Sequence, residues 1–305
     1  MRIAVIGTGA MGSIYAGLLG DAGNQVWAVD SWQAHIDAIR EHGLRVEGAS
    51  GDRVVKLNAT SESTDVGMVD LVIIATKAMH VEAAAASVNP LIGPDTIVLT
   101  IQNGLGSADK VAQLLGAEKV IIGVVGGFGA SMRGPGHVHH NGWEFVRLGE
   151  LSGSVTPRLQ RIAQVWQDAG FKVRTYDDID QLVWEKLICN VTYSGPCAVL
   201  EKTIGEIIED PYAWDVGSRC ATEAYEAALA RGITLDINDP AEYVRAFGSK
   251  IPDARPSVLL DHMARRRSEI EFINGAIPAV ARAVNLTAPC NEVITALVKA
   301  KEAGF

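Results

Sequence analysis

The feature that most constrains the fold is a set of closely spaced glycines beside the N-terminus. Residues 3–6 form a short apolar run, which is typical of a strand buried on both faces of a parallel sheet. Apolar residues at helix spacing follow the pattern Gly7-Thr8-Gly9-Ala10-Met11-Gly12. In GxGxxG, glycine permits a tight turn, close approach of a ligand to the backbone, and close packing of helix on strand. We therefore predict that Gly7, Thr8, Gly9, Ala10, Met11 and Gly12 bind the pyrophosphate of a dinucleotide.

Asp30 follows the second predicted strand, Gln25 to Val29, at about the 20-residue separation that this pattern specifies. A carboxylate at this place accepts hydrogen bonds from the adenosine ribose and repels a 2′-phosphate. The next residues, Ser31 to Ala34, include no arginine. We therefore predict NAD rather than NADP as the cofactor. The alternative is that Asp30 caps the helix that follows.

Strand-like and helix-like segments alternate through the first half of the chain. Further buried-type strands are predicted at 71–75, 97–100 and 120–125, with helices at 34–42, 79–89 and 106–115. This alternation indicates βαβ units and a doubly wound α/β sheet of the Rossmann type. Segment 126–150 is predicted to extend this sheet in the antiparallel sense, through strands at 137–140 and 144–148.

The second half carries helix spacing almost throughout. Helices are predicted at 157–169, 178–200, 203–209, 212–231, 239–248, 256–284 and 289–303. We predict two domains, a dinucleotide-binding Rossmann domain over residues 1–175 and an all-α substrate and catalytic domain over residues 176–305.

Composition excludes several classes of function. The 305 residues carry 27 Lys and Arg against 36 Asp and Glu, and this acidic balance disfavours nucleic acid as a partner. The four cysteines have no CxxC spacing, so neither a metal site nor a disulfide framework is indicated. The sequence shows no signal peptide and no apolar run of about 18 residues, so we expect a cytoplasmic protein without a membrane partner.

Polar residues that could carry chemistry stand at predicted strand ends and on one helix face. Lys77 follows the third strand and Asn103 the fourth, where open α/β sheets bind ligands. Lys186, Asn190 and Ser194 recur every four residues of a predicted helix and share one face. The alternatives are a surface lysine at 77, a turn asparagine at 103, and a helix end at 186 whose lysine reaches into solvent.

Two further candidates come later in the chain. Ser257 precedes an apolar stretch, and Glu269 and Glu271 lie beside an apolar stripe in the run Arg267 to Gly275. Paired charges on an exposed helix are the alternative for the two glutamates.

These pieces together resemble the ketopantoate reductase (2-dehydropantoate 2-reductase) family. The matching motifs are the N-terminal glycine pattern, Thr76-Lys77-Ala78, Gln102-Asn103-Gly104-Leu105-Gly106, Trp184-Glu185-Lys186-Leu187 with Asn190, and Ser268-Glu269-Ile270-Glu271-Phe272-Ile273-Asn274-Gly275. The resemblance implies a Rossmann domain followed by a helical domain like the C-terminal part of 6-phosphogluconate dehydrogenase. It also implies reduction of a small 2-oxo acid to a 2-hydroxy acid with a nicotinamide cofactor, most simply ketopantoate to pantoate in pantothenate biosynthesis.

The resemblance assigns a role to each candidate. Lys186 would donate the proton to the carbonyl oxygen, and Asn103 would position the nicotinamide and neighbouring catalytic groups. Lys77 would lie near the adenosine phosphates or ribose. The substrate would be bound by Asn190, Ser194, Ser257 and Glu269, and Glu269 could instead orient Lys186. The apolar C-terminal helices favour a homodimer.

Two departures from the family pattern favour a second interpretation. Asp30 stands where NADPH-dependent members commonly carry a basic or neutral residue, and Ser194-Gly195-Pro196 displaces by one a proline that commonly follows asparagine. NAD-dependent D-2-hydroxyacid dehydrogenases of the mandelate type resemble this family too, and they are the alternative.

Overall fold

A computed structural model describes residues 1–127, 129–142 and 145–305. Two compact units divide the chain: residues 1–102 with 106–179, and residues 103–105 with 180–305. Residues 176–179, which the sequence predicts to be in the second domain, belong to the first unit, and Asn103–Leu105 belongs to the second. Glu144, the first residue of one predicted strand, lies outside the described residues.

Among the residues that the structure describes, the first unit contains all the strands and five α-helices. The strands are β1 (Arg2–Ile6), β2 (Gln25–Val29), β3 (Leu44–Gly48), β4 (Arg53–Val55), β5 (Asn58–Thr60), β6 (Leu71–Ile74), β7 (Ile97–Thr100), β8 (Val120–Val125), β9 (Gly129–Gly134), β10 (His137–Gly142), β11 (Phe145–Glu150) and β12 (Lys172–Tyr176). The helices are α1 (Ala10–Asp21), α2 (Gln33–His42), α3 (Val81–Ser87), α4 (Ser107–Leu115) and α5 (Pro157–Asp168).

Eight strands form the main sheet in the order β12-β11-β8-β7-β6-β1-β2-β5. Neighbours from β5 to β8 pair in parallel, while β11 runs antiparallel to β8 and parallel to β12. The strands next to β1 on either side are β2 and β6, so the chain winds in both directions from β1. This arrangement confirms the predicted doubly wound sheet of the Rossmann type.

A second sheet, in the order β4-β3-β10-β9, corrects the prediction for segment 126–150. Only β11 extends the main sheet in the antiparallel sense. Strand β10 instead pairs in parallel with β3, with Val138 opposite Val46, and antiparallel with β9. Both valines are fully buried. Burial of this pair gives the small sheet its own apolar contact with the rest of the unit.

The second unit is helical, as predicted. It contains α6 (Ile179–Leu200, from Asp180 onward), α7 (Ile204–Glu209), α8 (Pro211–Ala230), α9 (Pro240–Gly248), α10 (Ser257–Met263), α11 (Ala276–Ala283) and α12 (Pro289–Glu302). None of the helices in the described part of the chain is long and apolar enough to cross a membrane.

The prediction of a single helix over residues 256–284 is wrong. Helix α10 ends at Met263, Arg265 adopts a left-handed φ of 50°, and α11 begins only at Ala276. A short 3-10 turn, Ile270–Phe272, lies between them. The apolar spacing continues through this segment, but contacts with α12 hold it in a non-helical path.

Candidate functional site

The loop after β1 requires glycine at two positions. Gly7 has a φ of 87°, and a Cβ there would lie 2.7 Å from the backbone nitrogen of Thr76. A Cβ on Gly12 would lie 2.0 Å from the carbonyl oxygen of Gly7. A side chain at either position would therefore push α1 away from the strand ends. The close packing predicted from the GxGxxG pattern is present in the structure.

The same loop fits the pyrophosphate of a dinucleotide. Gly9 is exposed, and a Cβ built there would meet no atom within 4 Å. Helix α1 begins at Ala10 without a side-chain cap, so the backbone N–H groups of its first turn are open to an anion. Thr8 Oγ1 is buried and has no hydrogen-bond partner among the residues that the structure describes. These features fit the pyrophosphate that NAD and NADP share.

Asp30 lies directly after β2, half-buried, at the position predicted for a ribose-binding carboxylate. Its Oδ1 accepts a 2.9 Å hydrogen bond from the backbone N–H of Trp32. Helix α2 begins one residue later, at Gln33, and Trp32 holds the N-cap position. Asp30 therefore shapes the turn into α2, but the N-cap residue of this helix is Trp32 and not Asp30.

Gln102 connects the ends of two neighbouring strands. Its Nε2 donates hydrogen bonds of 2.6 Å to the carbonyl oxygen of Ile74 and 3.1 Å to that of Thr76. Lys77 comes next in the chain and is half-buried. Gln102 thus fixes the backbone just before Lys77, a role that its place in the motif did not indicate.

In the second unit, Asn103 bridges a cation and a carboxylate. Lys186 Nζ, on α6, donates a 2.8 Å hydrogen bond to Asn103 Oδ1. Asn103 Nδ2 lies 3.5 Å from Glu269 Oε2. Glu269 is buried, and the other two residues are half-buried. An ammonium group held by an amide beside a carboxylate can donate a proton along a fixed direction.

The backbone of Gly104 makes this bridge possible. Gly104 has a φ of 82°, and a Cβ there would lie 2.0 Å from the carbonyl oxygen of Phe272. The same carbonyl accepts a 2.9 Å hydrogen bond from Leu105 N. Asn103 is therefore held against the segment that carries Glu269 by a backbone contact that only glycine allows.

The remaining predicted substrate residues have different surroundings. Asn190 is half-buried one turn along α6 from Lys186, and Ser194 is buried one turn further. Ser257 is exposed as the first residue of α10. The structure thus brings Lys186, Asn103 and Glu269 into contact, places Asn190 and Ser194 on the helix of Lys186, and puts Ser257 at a helix start.

A buried carboxylate supports the segment that carries Glu269. Glu302 Oε1, at the end of α12, accepts hydrogen bonds of 2.8 Å from Ser268 N and 2.5 Å from Ser268 Oγ. His262 Nε2 lies 3.2 Å from the same oxygen. Glu302 therefore fixes the residue just before Glu269. No motif singles out Glu302, because it lies in an ordinary amphipathic helix.

The cysteines lie outside this chemistry. All four are free, and Cys189, on α6 between Lys186 and Asn190, is buried. Burial raises the pKa of the Cys189 thiol to about 12, so this group is not a nucleophile at neutral pH. Among residues 1–127, 129–142 and 145–305, no cluster of three or more His, Cys, Asp or Glu could hold a metal ion.

Comparison with known proteins matches both units. The family model "Ketopantoate reductase PanE/ApbA" matches residues 3–153, and "Ketopantoate reductase PanE/ApbA C terminal" matches residues 178–302. The 2-dehydropantoate 2-reductase of Pyrococcus horikoshii is 32% identical over 303 residues, which cover 99% of this chain and 98% of that protein.

Solved structures agree. The PanE/ApbA family ketopantoate reductase from Ralstonia eutropha JMP134 superimposes with a TM-score of 0.92 at 31% identity, covering 100% of this chain and 99% of that one. A D-mandelate dehydrogenase with NADH and anilino(oxo)acetate superimposes with a TM-score of 0.91 at 29% identity, with the same coverage. The chain therefore belongs to the ketopantoate reductase family of oxidoreductases, which act on a CH–OH group and use a nicotinamide cofactor.

Proposed function

We propose that this protein is a 2-dehydropantoate 2-reductase, which reduces ketopantoate to pantoate with NADH. The contact of Lys186 with Asn103, and of Asn103 with Glu269, carries this proposal. A reductase of 2-oxo acids must deliver one proton to the carbonyl oxygen while the carbon accepts a hydride. The Lys186–Asn103–Glu269 group offers an oriented ammonium donor for that proton.

The proton transfer follows from the groups in the second unit. The bound cofactor supplies the hydride that reduces the substrate carbon. Lys186 Nζ stabilises the negative charge that develops on the carbonyl oxygen and then donates a proton to it, so that an alcohol forms. Asn103 Oδ1 holds the ammonium group by accepting a hydrogen bond from one of its N–H groups. The other N–H bonds of Lys186 are then directed to the substrate and to its surroundings.

Substrate binding is proposed for residues on two helices and on the segment of Glu269. Asn190 and Ser194 extend the face of α6 that begins at Lys186, and Ser257 opens α10 with its backbone N–H at a helix start. We assign to these three residues and to Glu269 the hydrogen bonds to the carboxylate and oxygen atoms of the 2-oxo acid.

Cofactor binding is proposed for the first unit. The loop Gly7 to Gly12 would hold the pyrophosphate, Asp30 the adenosine ribose, and Lys77 the adenosine side of the cofactor. Asp30 carries the preference for NAD over NADP, because its carboxylate repels a 2′-phosphate. The homodimer and the cytoplasmic location that the sequence favours stay predictions.

The second candidate is an NAD-dependent D-2-hydroxyacid dehydrogenase of the mandelate type. The similarity to a D-mandelate dehydrogenase supports it. The segment that departs from the family pattern is also closely packed, since a Cβ on Gly195 would lie 2.2 Å from Ile294 Cγ2. Ser194-Gly195-Pro196 therefore packs tightly on α12, at the point where other family members commonly carry Asn-Pro. This difference in sequence changes the residues next to Ser194, and we infer that it also changes which substrate fits beside Ser194.

A substrate panel tests both candidates. The purified protein is assayed with ketopantoate, phenylglyoxylate and a branched 2-oxo acid, each with NADH and with NADPH, by the loss of reduced-cofactor absorbance. Our proposal predicts the highest kcat/KM with ketopantoate and NADH. A higher value with phenylglyoxylate would favour the mandelate-type enzyme, and turnover of none of the three would contradict both candidates. For cofactor choice, Asp30→Ala should narrow the difference in kcat/KM between NADH and NADPH.

A further inference from the structure

A chain of buried hydrogen bonds runs from the small sheet to the glycine loop of the first unit. The backbone N–H of Gly136, in the turn between β9 and β10, donates a 2.9 Å hydrogen bond to Nδ1 of His35. His35 Nε2 lies 3.3 Å from Ser13 Oγ, and Ser13 Oγ donates a 2.7 Å hydrogen bond to the carbonyl oxygen of Thr8. Thr8, Ser13 and His35 are fully buried.

The direction of each hydrogen bond in this chain is determined. Because His35 Nδ1 accepts from a backbone N–H, it carries no proton, so the proton of the neutral ring is on Nε2. His35 Nε2–H therefore donates to Ser13 Oγ, and the Ser13 hydroxyl in turn donates its proton to the carbonyl oxygen of Thr8. Burial lowers the pKa of His35, which outweighs the opposing effects of Asp30 and the Thr8 backbone and keeps the ring neutral. Trp32 stacks on this ring, with centroids 5.1 Å apart.

The end of the chain determines where one N–H of the glycine loop points. The carbonyl of Thr8 and the N–H of Gly9 belong to the same peptide group, which is planar and trans, so they point in opposite directions. Ser13 holds the carbonyl on the buried side. The N–H of Gly9 is consequently directed outward, at the exposed glycine where a Cβ would meet no atom within 4 Å.

We propose that His35 and Ser13 are positioning residues for dinucleotide binding, because they hold the Thr8–Gly9 peptide with its N–H toward the pyrophosphate. If this peptide turned over, a carbonyl oxygen would face the phosphates in place of an N–H donor, and the anion would be repelled. Neither side chain needs to touch the cofactor for this effect. The inference rests on the proposed function only in requiring that the loop binds a dinucleotide.

The direct test is a double-mutant cycle on dinucleotide affinity. Dissociation constants are measured by calorimetry for NADH, and for ADP-ribose, which keeps the pyrophosphate but lacks the nicotinamide. Ser13→Ala removes the donor to Thr8 O and should weaken both ligands about tenfold, the usual effect of one lost hydrogen bond. His35→Asn keeps an acceptor near the Nδ1 position but loses the donor to Ser13, and it should also weaken both ligands. The double variant should bind no more weakly than Ser13→Ala alone, since the chain is already broken.

A conservative variant and a matched control separate positioning from a general loss of structure. His35→Gln places an amide N–H near the Nε2 position, so it should restore most of the affinity that His35→Asn loses. Ser87→Ala removes a similar serine-to-carbonyl hydrogen bond, 2.8 Å to Ala84 O in α3, and should leave both dissociation constants unchanged. At saturating NADH, kcat of the Ser13 and His35 variants should stay near the wild-type value while the KM for NADH rises.

The outcomes distinguish a failure of the positioning role from a failure of the proposed function. If the wild-type protein binds NADH and ADP-ribose but Ser13→Ala binds them equally well, the positioning role is wrong and the proposed function is unaffected. Additive losses in the double variant, or equal losses in His35→Gln and His35→Asn, would also contradict the role of a connected chain. A wild-type protein that binds neither NADH nor NADPH would overturn the proposed function, and this inference with it.

Discussion

Lys186 and Asn103 are joined by a 2.8 Å hydrogen bond from Nζ to Oδ1. This contact orients the amide of Asn103, since only its oxygen accepts and only its nitrogen donates. The nitrogen is left facing Glu269 Oε2 at 3.5 Å. One neutral side chain thus connects a cation to a buried carboxylate, and it sets the direction in which the ammonium group presents its remaining protons.

Replacing Glu269 by Gln should lower kcat/KM for the 2-oxo acid about tenfold, the scale of a lost hydrogen bond to a charged group. The neutral amide no longer offers Asn103 a charged acceptor, so the position of Lys186 becomes less defined. Steady-state kinetics at saturating NADH measures the effect. Glu271→Gln is the matched control, because Glu271 pairs with Lys299 and its side chain is 59% exposed. Equal losses of kcat/KM in the two variants would show that Glu269 has no specific role in positioning Lys186.

Gly104→Ala should destabilise the protein by about 2–3 kcal/mol, in the range of a steric conflict inside a folded chain. The alanine would have to adopt a left-handed φ, and its Cβ would lie 2.0 Å from the carbonyl oxygen of Phe272. Gly106→Ala is the matched control, because Gly106 has a φ of 90° but its Cβ would meet no atom within 4 Å. Denaturant unfolding of both variants measures the difference. A Gly106 variant as unstable as the Gly104 variant would rule out the contact with Phe272 as the cause.

The ion pair of Glu150 with Arg158 makes stability depend on pH. The Glu150 side chain is 1% exposed, and its oxygens accept hydrogen bonds from Arg158 and Thr156. Burial alone raises the pKa of Glu150, but the hydrogen bonds from Arg158 and Thr156 outweigh burial and bring it below 4.5. The pair therefore stabilises the fold above pH 4.5, and this contribution is lost as the pH falls through the lowered pKa.

Glu150→Gln should accordingly lower the free energy of unfolding by about 2 kcal/mol at neutral pH. The difference from wild type should shrink on acidification, since the wild-type carboxylate is then protonated as well. Urea unfolding at a series of pH values measures this trend. Glu82→Gln, which removes an exposed partner of Lys110, should change stability little at any pH. A Glu150 effect that is constant with pH would contradict an ionic origin.

Residue patterns within one segment predicted the elements that depend only on that segment. The strand before Gly7, the glycine loop and the helix after it follow from spacing alone, and so does the helical face of Lys186. The small sheet was missed because β3 and β10, five and six residues long, pair across a large separation in sequence. Periodicity within one segment carries no information about such a partner.

The site was predictable residue by residue but not as an arrangement. The family motif contains both Asn103 and Glu269, yet their contact depends on a left-handed glycine at 104 and on a break in the helix predicted over 256–284. Within that break, the carboxylate of Glu302 accepts hydrogen bonds from Ser268. An amphipathic spacing continued across Arg265 and hid the change in path. Tertiary contacts overrode local preference there.

If Lys186 protonates the carbonyl oxygen, its removal must slow the chemical step, and the kcat of Lys186→Ala measures this loss. The measurement uses the best 2-oxo acid of the panel at saturating NADH, with the exposed Lys250→Ala as control. We predict that Lys186→Ala lowers kcat by about 10²–10⁴, the scale of a lost general acid, while its dissociation constant for NADH and the kcat of Lys250→Ala stay near wild type. A kcat of Lys186→Ala close to the wild-type value would show that Lys186 is not the proton donor.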